Sequence, residues 1–142
     1  MKESHGSSFQ FKGFRVTHSL IDIKDVEGDK KLSIAFNPKG VIDKKESAFT
    51  LFLNISVSDI SKSLNIEIDA EAKYLFNYNE SSENLNNYFY INAPAILFPY
   101  VRAYISSLTA LSGVPTITLP TLNLTSLGDD LKNNTKVKED TE

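Results

Sequence analysis

Residues 94–113 read PAILFPYVRAYISSLTALSG, and Arg102 is the only charged residue in this stretch. Its larger apolar side chains recur at the spacing of one helix face. They are Leu97, Val101, Ile105, Leu108 and Leu111. The opposite side carries Tyr, Ser, Thr and Ala, where a surface helix normally carries charges. The stretch therefore predicts a long helix that is covered on two sides.

The uncharged side of this helix predicts contact with a second copy of the chain. Subunit interfaces are depleted of charge and retain tyrosine. A chain of 142 residues has little left to cover that side, so we favour self-association. The alternative is a helix buried entirely in its own domain. The predicted interface residues are Tyr100, Tyr104, Ile105, Leu108 and Leu111.

Four segments upstream of the helix alternate apolar and polar residues, as half-buried strands do. They are residues 9–23, 32–36, 47–57 and 64–77. The apolar parity of the first segment switches at Gly13, which predicts a β-bulge. Pro and Gly in NPKG, residues 37–40, predict a turn. The short polar connections favour an antiparallel meander with one wet face.

The remaining segments complete a predicted α+β fold. It has a four-stranded antiparallel sheet with the long helix and a short C-terminal helix packed on one face. SSENLNNYFY predicts a separate short helix before the long one, and TSLGDDLK predicts a weak final helix. We expect a flexible arm at residues 1–8, one domain at 9–131 and a polar, disordered tail at 132–142.

The composition argues against several classes of function. A net charge of −3 argues against nucleic acid as a partner. The chain has no cysteine, which excludes disulfides and makes structural zinc unlikely. Phosphate-binding loops and nucleophile motifs are absent, so we expect no enzyme, no cofactor and no metal. Prolines and polar residues interrupt the apolar segment at 93–111, so we expect a cytoplasmic protein without direct membrane insertion.

The run LFPYVR at 97–102 resembles the long helix of the SecB family of protein-export chaperones. That helix carries an apolar–Phe–Pro–Tyr–x–Arg run. PTITLPTLNL at 115–124 is similar to the family's loop after this helix, and FQFKGFRV at 9–16 is similar to its first strand. The resemblance covers residues 9–131. It implies a homotetramer, assembled as a dimer of dimers, with the long helix at the subunit interface.

The resemblance implies a chaperone that binds unfolded preproteins in apolar grooves and delivers them to the SecA motor ATPase. Its client groove maps onto Phe36, Val114, Ile117, Leu119, Leu122, Leu124 and Leu127. Its motor-docking acidic face maps onto Asp22, Glu67, Asp69 and Glu71. From the residues alone, the first set could equally cover the chain's own core, and the second could be an ordinary solvated strand face.

Some features depart from the family pattern. The connection at residues 24–31 is short, and the final helix is brief. His18 stands where the first strand of the family usually has a carboxylate. A smaller groove follows, which leaves open a SecB-like chaperone dedicated to one partner, such as an antitoxin of a toxin–antitoxin system. A carrier for a small apolar ligand is a third hypothesis.

Overall fold

The computed structural model describes residues 9–24, 31–61, 63–76, 82–121 and 123–138. The arm predicted at residues 1–8 lies outside these ranges. In chain order the elements are β1 Phe9–Ile23, β2 Leu32–Asp43, β3 Ala48–Asp59, β4 Leu64–Phe76, α1 Ser82–Leu111, α2 Leu124–Asn133 and β5 Thr135–Lys138.

The strands form one sheet in the order β1-β4-β3-β2-β5. The first four strands pair antiparallel, whereas β5 pairs parallel with the end of β2. Alternate residues of β3 and β4 are buried on one face, and the others form an open polar face. The core lies between the buried face and the helices. The predicted α+β fold class is confirmed, with one added strand.

Strand β1 bends twice against β4. The register shift at Gly13, where φ is 125°, confirms the predicted bulge. A second shift, between Val16 and His18, was not predicted from the sequence. It turns His18 and Leu20 onto the open polar face, opposite Asp69 and Glu67 on β4. This second shift is hard to see in the sequence because the residues around it are polar.

The turn predicted at residues 37–40 is wrong, because β2 continues as a strand to Asp43. The carbonyl of Pro38 accepts a hydrogen bond from Asn134 Nδ2 at 3.4 Å. The nitrogen of a strand residue faces the same side as its carbonyl, so the nitrogen of Pro38 also points away from β3. Proline is tolerated at such an edge position because no ladder hydrogen bond is lost.

Gly40 provides room where the C-terminal segment joins the edge of β2. A Cβ atom on Gly40 would lie 2.7 Å from Thr135 Oγ1 and 2.8 Å from Phe49 Cε1. The Gly40 amide donates to the carbonyl of Asn134 at 3.2 Å. The glycine therefore serves a close approach between two segments rather than a turn.

Helix α1 is continuous, so the two helices predicted for residues 81–113 are one. Pro94 and Pro99 lie inside it. A proline at position 94 removes the hydrogen bond to the carbonyl of Tyr90, one turn earlier. Gly128 of α2 packs against this carbonyl, where a Cβ would lie 2.8 Å from the Tyr90 oxygen. Helix α2 therefore packs against α1 at the turn where Pro94 removes a backbone hydrogen bond.

Tyr74 of β4 joins the sheet to α1. Its ring is buried, and its hydroxyl donates to the carbonyl of Ala93 at 2.6 Å. Burial raises the pKa of Tyr74 far above its ordinary value, so the hydroxyl stays protonated. The bond fixes where α1 crosses the sheet.

We expect Tyr74→Phe to lower the free energy of unfolding by about 1–2 kcal/mol, because a buried carbonyl loses a partner. Tyr104→Phe is the matched control, since the Tyr104 hydroxyl donates to Ser19 Oγ at 2.9 Å in a more exposed place. Urea unfolding of both variants measures the difference. Equal losses would contradict a special role for the buried bond.

The Asp59 carboxylate organises the connection between β3 and β4. It is 2% exposed and accepts hydrogen bonds from the Ser63 hydroxyl, from Ser61 Oγ at 3.2 Å and from the Leu64 amide at 3.2 Å. The Ser63 hydrogen bond is the largest of the causes that hold the pKa of Asp59 well below its usual range. These bonds stabilise the ionised carboxylate.

This pKa shift predicts an acid-sensitive contribution to stability. A lowered pKa in the folded chain stabilises it above the ordinary carboxyl range, and that stabilisation disappears as the pH falls. We expect wild type to be more stable than Asp59→Asn at pH 7, with the difference shrinking towards pH 3. Urea unfolding across this pH range measures the difference, and a constant gap would contradict the assignment.

The tail predicted as disordered at residues 132–142 is ordered over its first part. Helix α2 ends at Asn133, and Thr135–Lys138 form β5 on the edge of β2. A sheet edge supplies the backbone partners that such a polar segment lacks on its own. Residues 139–142 lie outside the described part of the chain.

Candidate functional site

Two hydroxyl side chains of α1 hold the loop that follows the helix. Ser106 Oγ donates to the carbonyl of Ile117 at 2.9 Å, and the Ile117 amide donates to Thr109 Oγ1 at 3.0 Å. The described part of the loop has no regular secondary structure, and these two contacts satisfy the backbone amide and carbonyl of Ile117. The low charge on this side of α1 is therefore explained in part by the chain's own loop.

The structure divides the residues predicted for the client groove into two groups. Ile117, Leu119 and Leu127 are buried within the protomer and pack in its core. Half-buried at the surface are Phe36, Val114 and Leu124. Leu122 lies outside the described residues. The apolar surface that a client can reach is therefore smaller than the sequence predicts.

A cluster on β2 and α1 adds accessible apolar surface to Phe36. Phe98 of α1 packs edge-on against Phe36, with ring centroids 6.1 Å apart. Leu32 and Ile34 are half-buried on the same face of β2. We call these four residues the β2 rim. The alternation at positions 32, 34 and 36 is the signal that could have found the strand members.

The acidic residues of β4 lie together on the open face. Asn54 of β3 donates to Glu67 Oε2 at 3.2 Å and to Asp69 Oδ1 at 2.7 Å. Asp22 of β1 pairs with Asn65, which precedes Glu67 by two residues on β4. Asp22 therefore lies on the same face as Glu67. A shallow depression of about 730 Å³ includes Glu67 and Asp69 in its lining.

Glu71 differs from the other acidic residues because it pairs with Arg15. The Arg15 Nε atom lies 2.6 Å from Glu71 Oε2. Lys12 and Lys73 line a second depression with this pair. The open face is therefore acidic towards Asp22 and mixed in charge around Glu71.

The predicted interface residues also separate by burial. Ile105 is completely buried within the protomer, so it belongs to the core and we leave it out of the interface. Tyr104 and Leu108 are half-buried. Tyr100 and Leu111 are exposed, and 87% of Leu111 is accessible. Exposed, uncharged residues continue this surface along α1: Pro99, Ala103, Ser107 and Ala110.

The described part of the chain offers neither a metal site nor a membrane-spanning helix. Within it, His, Asp and Glu side chains form no group of three that could hold a metal ion. The helices found there include none with the length and apolar character needed to cross a membrane.

The architecture defines the class of protein: an α+β fold whose sheet carries two helices on its apolar face and leaves the other face open. A family model described as "Preprotein translocase subunit SecB" matches residues 24–133. The chain therefore belongs to the SecB family, which confirms the resemblance seen in the sequence. Chaperones of this family are non-enzymatic.

Two other proteins are similar to this chain. An uncharacterized protein of Methanocaldococcus jannaschii is 27% identical over 148 residues, which cover 95% of this chain and 94% of that protein. A SecB-like chaperone of Mycobacterium tuberculosis, solved in complex with a ChAD peptide from the HigA1 antitoxin, superposes with a TM-score of 0.69. The match is 20% identical and covers 82% of this chain and 88% of that one, which shows a shared fold.

Proposed function

We propose that this protein is a SecB-like chaperone dedicated to one partner protein, and that it holds an extended segment of that partner before the partner folds. The observation that carries the proposal is the partly exposed β2 rim in a chain of the SecB family. Apolar side chains of an unfolded segment gain about 25 cal/mol for each Å² that they bury.

The small size of the apolar surface favours a dedicated chaperone. Ile117, Leu119 and Leu127 are buried in the protomer, which leaves Val114, Leu124 and the β2 rim for a client. Such a surface suits one short segment better than a long unfolded chain. The structural neighbour in Mycobacterium tuberculosis was solved with a peptide of an antitoxin, so an antitoxin is the kind of partner we propose.

A general export chaperone that delivers preproteins to SecA is the second candidate. The description of the matching family model favours it, as does the acidic end of the open face. Carboxylates on such a face would attract and orient a basic partner. Glu71 is already paired with Arg15, and Glu67 and Asp69 already accept hydrogen bonds from Asn54. These contacts leave less of the carboxylate charge available to a partner. Motor docking through Asp22, Glu67, Asp69 and Glu71 is therefore the weaker proposal.

Self-association accompanies both candidates. Between residues 90 and 111, the exposed side of α1 has no acidic residue and carries Tyr100, Leu111 and small residues, which suits contact with a second copy. A dimer of dimers in the cytoplasm, as in the family, is the assembly we propose.

Two measurements test the function and separate the candidates. The first compares binding of reduced, carboxymethylated lactalbumin, which stays unfolded, with binding of native lactalbumin. Binding of neither form would contradict a general holding function.

The second measurement selects binders from a random peptide library displayed on phage. A dedicated chaperone is expected to enrich one sequence motif, whereas a general chaperone enriches apolar composition alone. Failure to enrich any peptide, together with no lactalbumin binding, would overturn both candidates.

A further inference from the structure

Strand β5 occupies only one end of the edge of β2. It pairs parallel with β2 from Gly40 to Asp43. Asn134, just before β5, contacts the carbonyl of Pro38 and the amide of Gly40. Among the residues that the structure describes, no strand lies beside residues 32–37 of this edge.

Thr135 anchors the start of β5, because its hydroxyl donates to the carbonyl of Leu131 at 2.6 Å, but the rest of the strand is exposed. The strand has four residues, and 42% of Val137 is accessible. The Lys138 Nζ atom lies 3.6 Å from Asp43 Oδ2, and the lysine side chain is largely solvated. Ion pairs of this kind stabilise little. Residues 136–138 are therefore expected to open more easily than the central strands of the sheet.

Residues 32–37, along whose outer side the described part of the chain places no strand, and residues 40–43, which pair with β5, belong to the same continuous edge of β2. Extended segments bind sheet edges through main-chain hydrogen bonds, and pockets for alternate side chains give the specificity. A segment that starts beside Leu32 can follow β2 for only about six residues before it meets Asn134 and Thr135. A longer segment can pair with the edge only if β5 leaves it.

We propose that β5 is a displaceable occupant of the β2 edge, and that an extended segment of a client polypeptide takes its place. The inference rests on the proposed function, because it describes how the same client is bound. Thr135 and Val137 stand opposite Gly40 and Ile42. A client segment can carry larger apolar residues than Thr135 and Val137 at these two positions. It can also place apolar residues against the β2 rim. Such a client therefore buries more apolar surface than β5 does.

A reversible cross-link tests the displacement. Val41 and Lys136 are Cα partners in the β2–β5 ladder, and the chain has no cysteine of its own. In Val41→Cys/Lys136→Cys, the oxidised form ties β5 to β2, and reduction releases it. Binding of a peptide enriched from the displayed library is then measured with the protein in each state.

We expect the oxidised protein to bind the enriched peptide about tenfold more weakly than the same protein when reduced, because the competent state is no longer populated. The matched control is Thr50→Cys/Lys73→Cys, whose Cα partners lie on β3 and β4, away from β5. It should bind equally in both states. Equal binding by the oxidised and reduced β5 pair would overturn the displacement, while the holding function would stand.

Truncation provides the reverse test. A chain that ends at Asn134 lacks β5, and a chain that ends at Lys138 keeps it. We expect the shorter chain to bind the enriched peptide more tightly than the longer one, and equal affinities would contradict the proposal. If no form of the protein binds lactalbumin or displayed peptides, the proposed function itself fails. That result differs from binding that is insensitive to the cross-link.

Discussion

Leu111→Glu is expected to break the assembly into smaller species while the protomer stays folded. Leu111 is the most exposed large apolar residue of the described chain, and 87% of it is accessible. The protomer therefore loses little when it is replaced. In the proposed interface the new carboxylate would be removed from water without a partner, and an unpaired buried charge destabilises strongly. Light scattering should show the mass falling towards that of one 15.8 kDa chain.

Two further variants make this result specific. Ser126→Glu places the same charge on the exposed surface of α2, so it should leave the mass unchanged. Ile105→Ala changes a residue that is buried in the protomer, so it should lower stability by about 2–5 kcal/mol through a cavity. An unchanged mass for Leu111→Glu would move the interface away from this end of α1.

Phe36→Asp is expected to remove most client binding. Phe36 is half-buried on the β2 rim, beside Phe98, where a client can complete its burial. Burying a Phe side chain contributes about 1.5–3 kcal/mol, and 1.4 kcal/mol is tenfold in affinity. We therefore expect binding of the unfolded lactalbumin, or of selected peptides, to weaken by about tenfold or more, as measured by fluorescence anisotropy.

The structure offers a matched control for this substitution. Phe52 of β3 is 38% exposed on the opposite face of the sheet, and Phe52→Asp should leave client binding unchanged. Phe36→Leu keeps an apolar side chain and should retain most binding, which separates binding from folding. Equal losses for Phe36→Asp and Phe52→Asp would contradict a site on the β2 rim.

Much of the fold follows from local patterns. The bounds of β1, the bulge at Gly13, and the strands β3 and β4 were all predictable from period-two alternation. The LFPYVR run pointed to the SecB family, which the family model confirms. Helix α1 was predictable over its apolar half, but not as one helix with the segment before it.

The errors lie where a long-range contact outweighs a local signal. Pro38 and Gly40 indicate a turn, yet both belong to β2. There the carbonyl of Pro38 and the amide of Gly40 form hydrogen bonds with Asn134. Pro94 indicates a boundary, yet the helix continues and Gly128 of α2 packs at the weakened turn. The polar tail indicates disorder, yet part of it pairs with β2.

The candidate site shows the same division. The sequence identified the acidic row on β4, because alternation places Glu67, Asp69 and Glu71 on one face. It could not reveal that Arg15 neutralises Glu71, since the pairing depends on the register between β1 and β4. It also could not separate the accessible Phe36 from the buried Leu119.

The sequence by itself determined which residues of each strand and of α1 are apolar on one side, because side-chain direction follows from the backbone repeat. Only the tertiary structure decided which of those apolar residues remain accessible, which carboxylates are paired, and that residues 135–138 pair with the edge of β2. Burial, charge pairing and edge pairing depend on segments that are distant in the chain, and no local pattern encodes their distances.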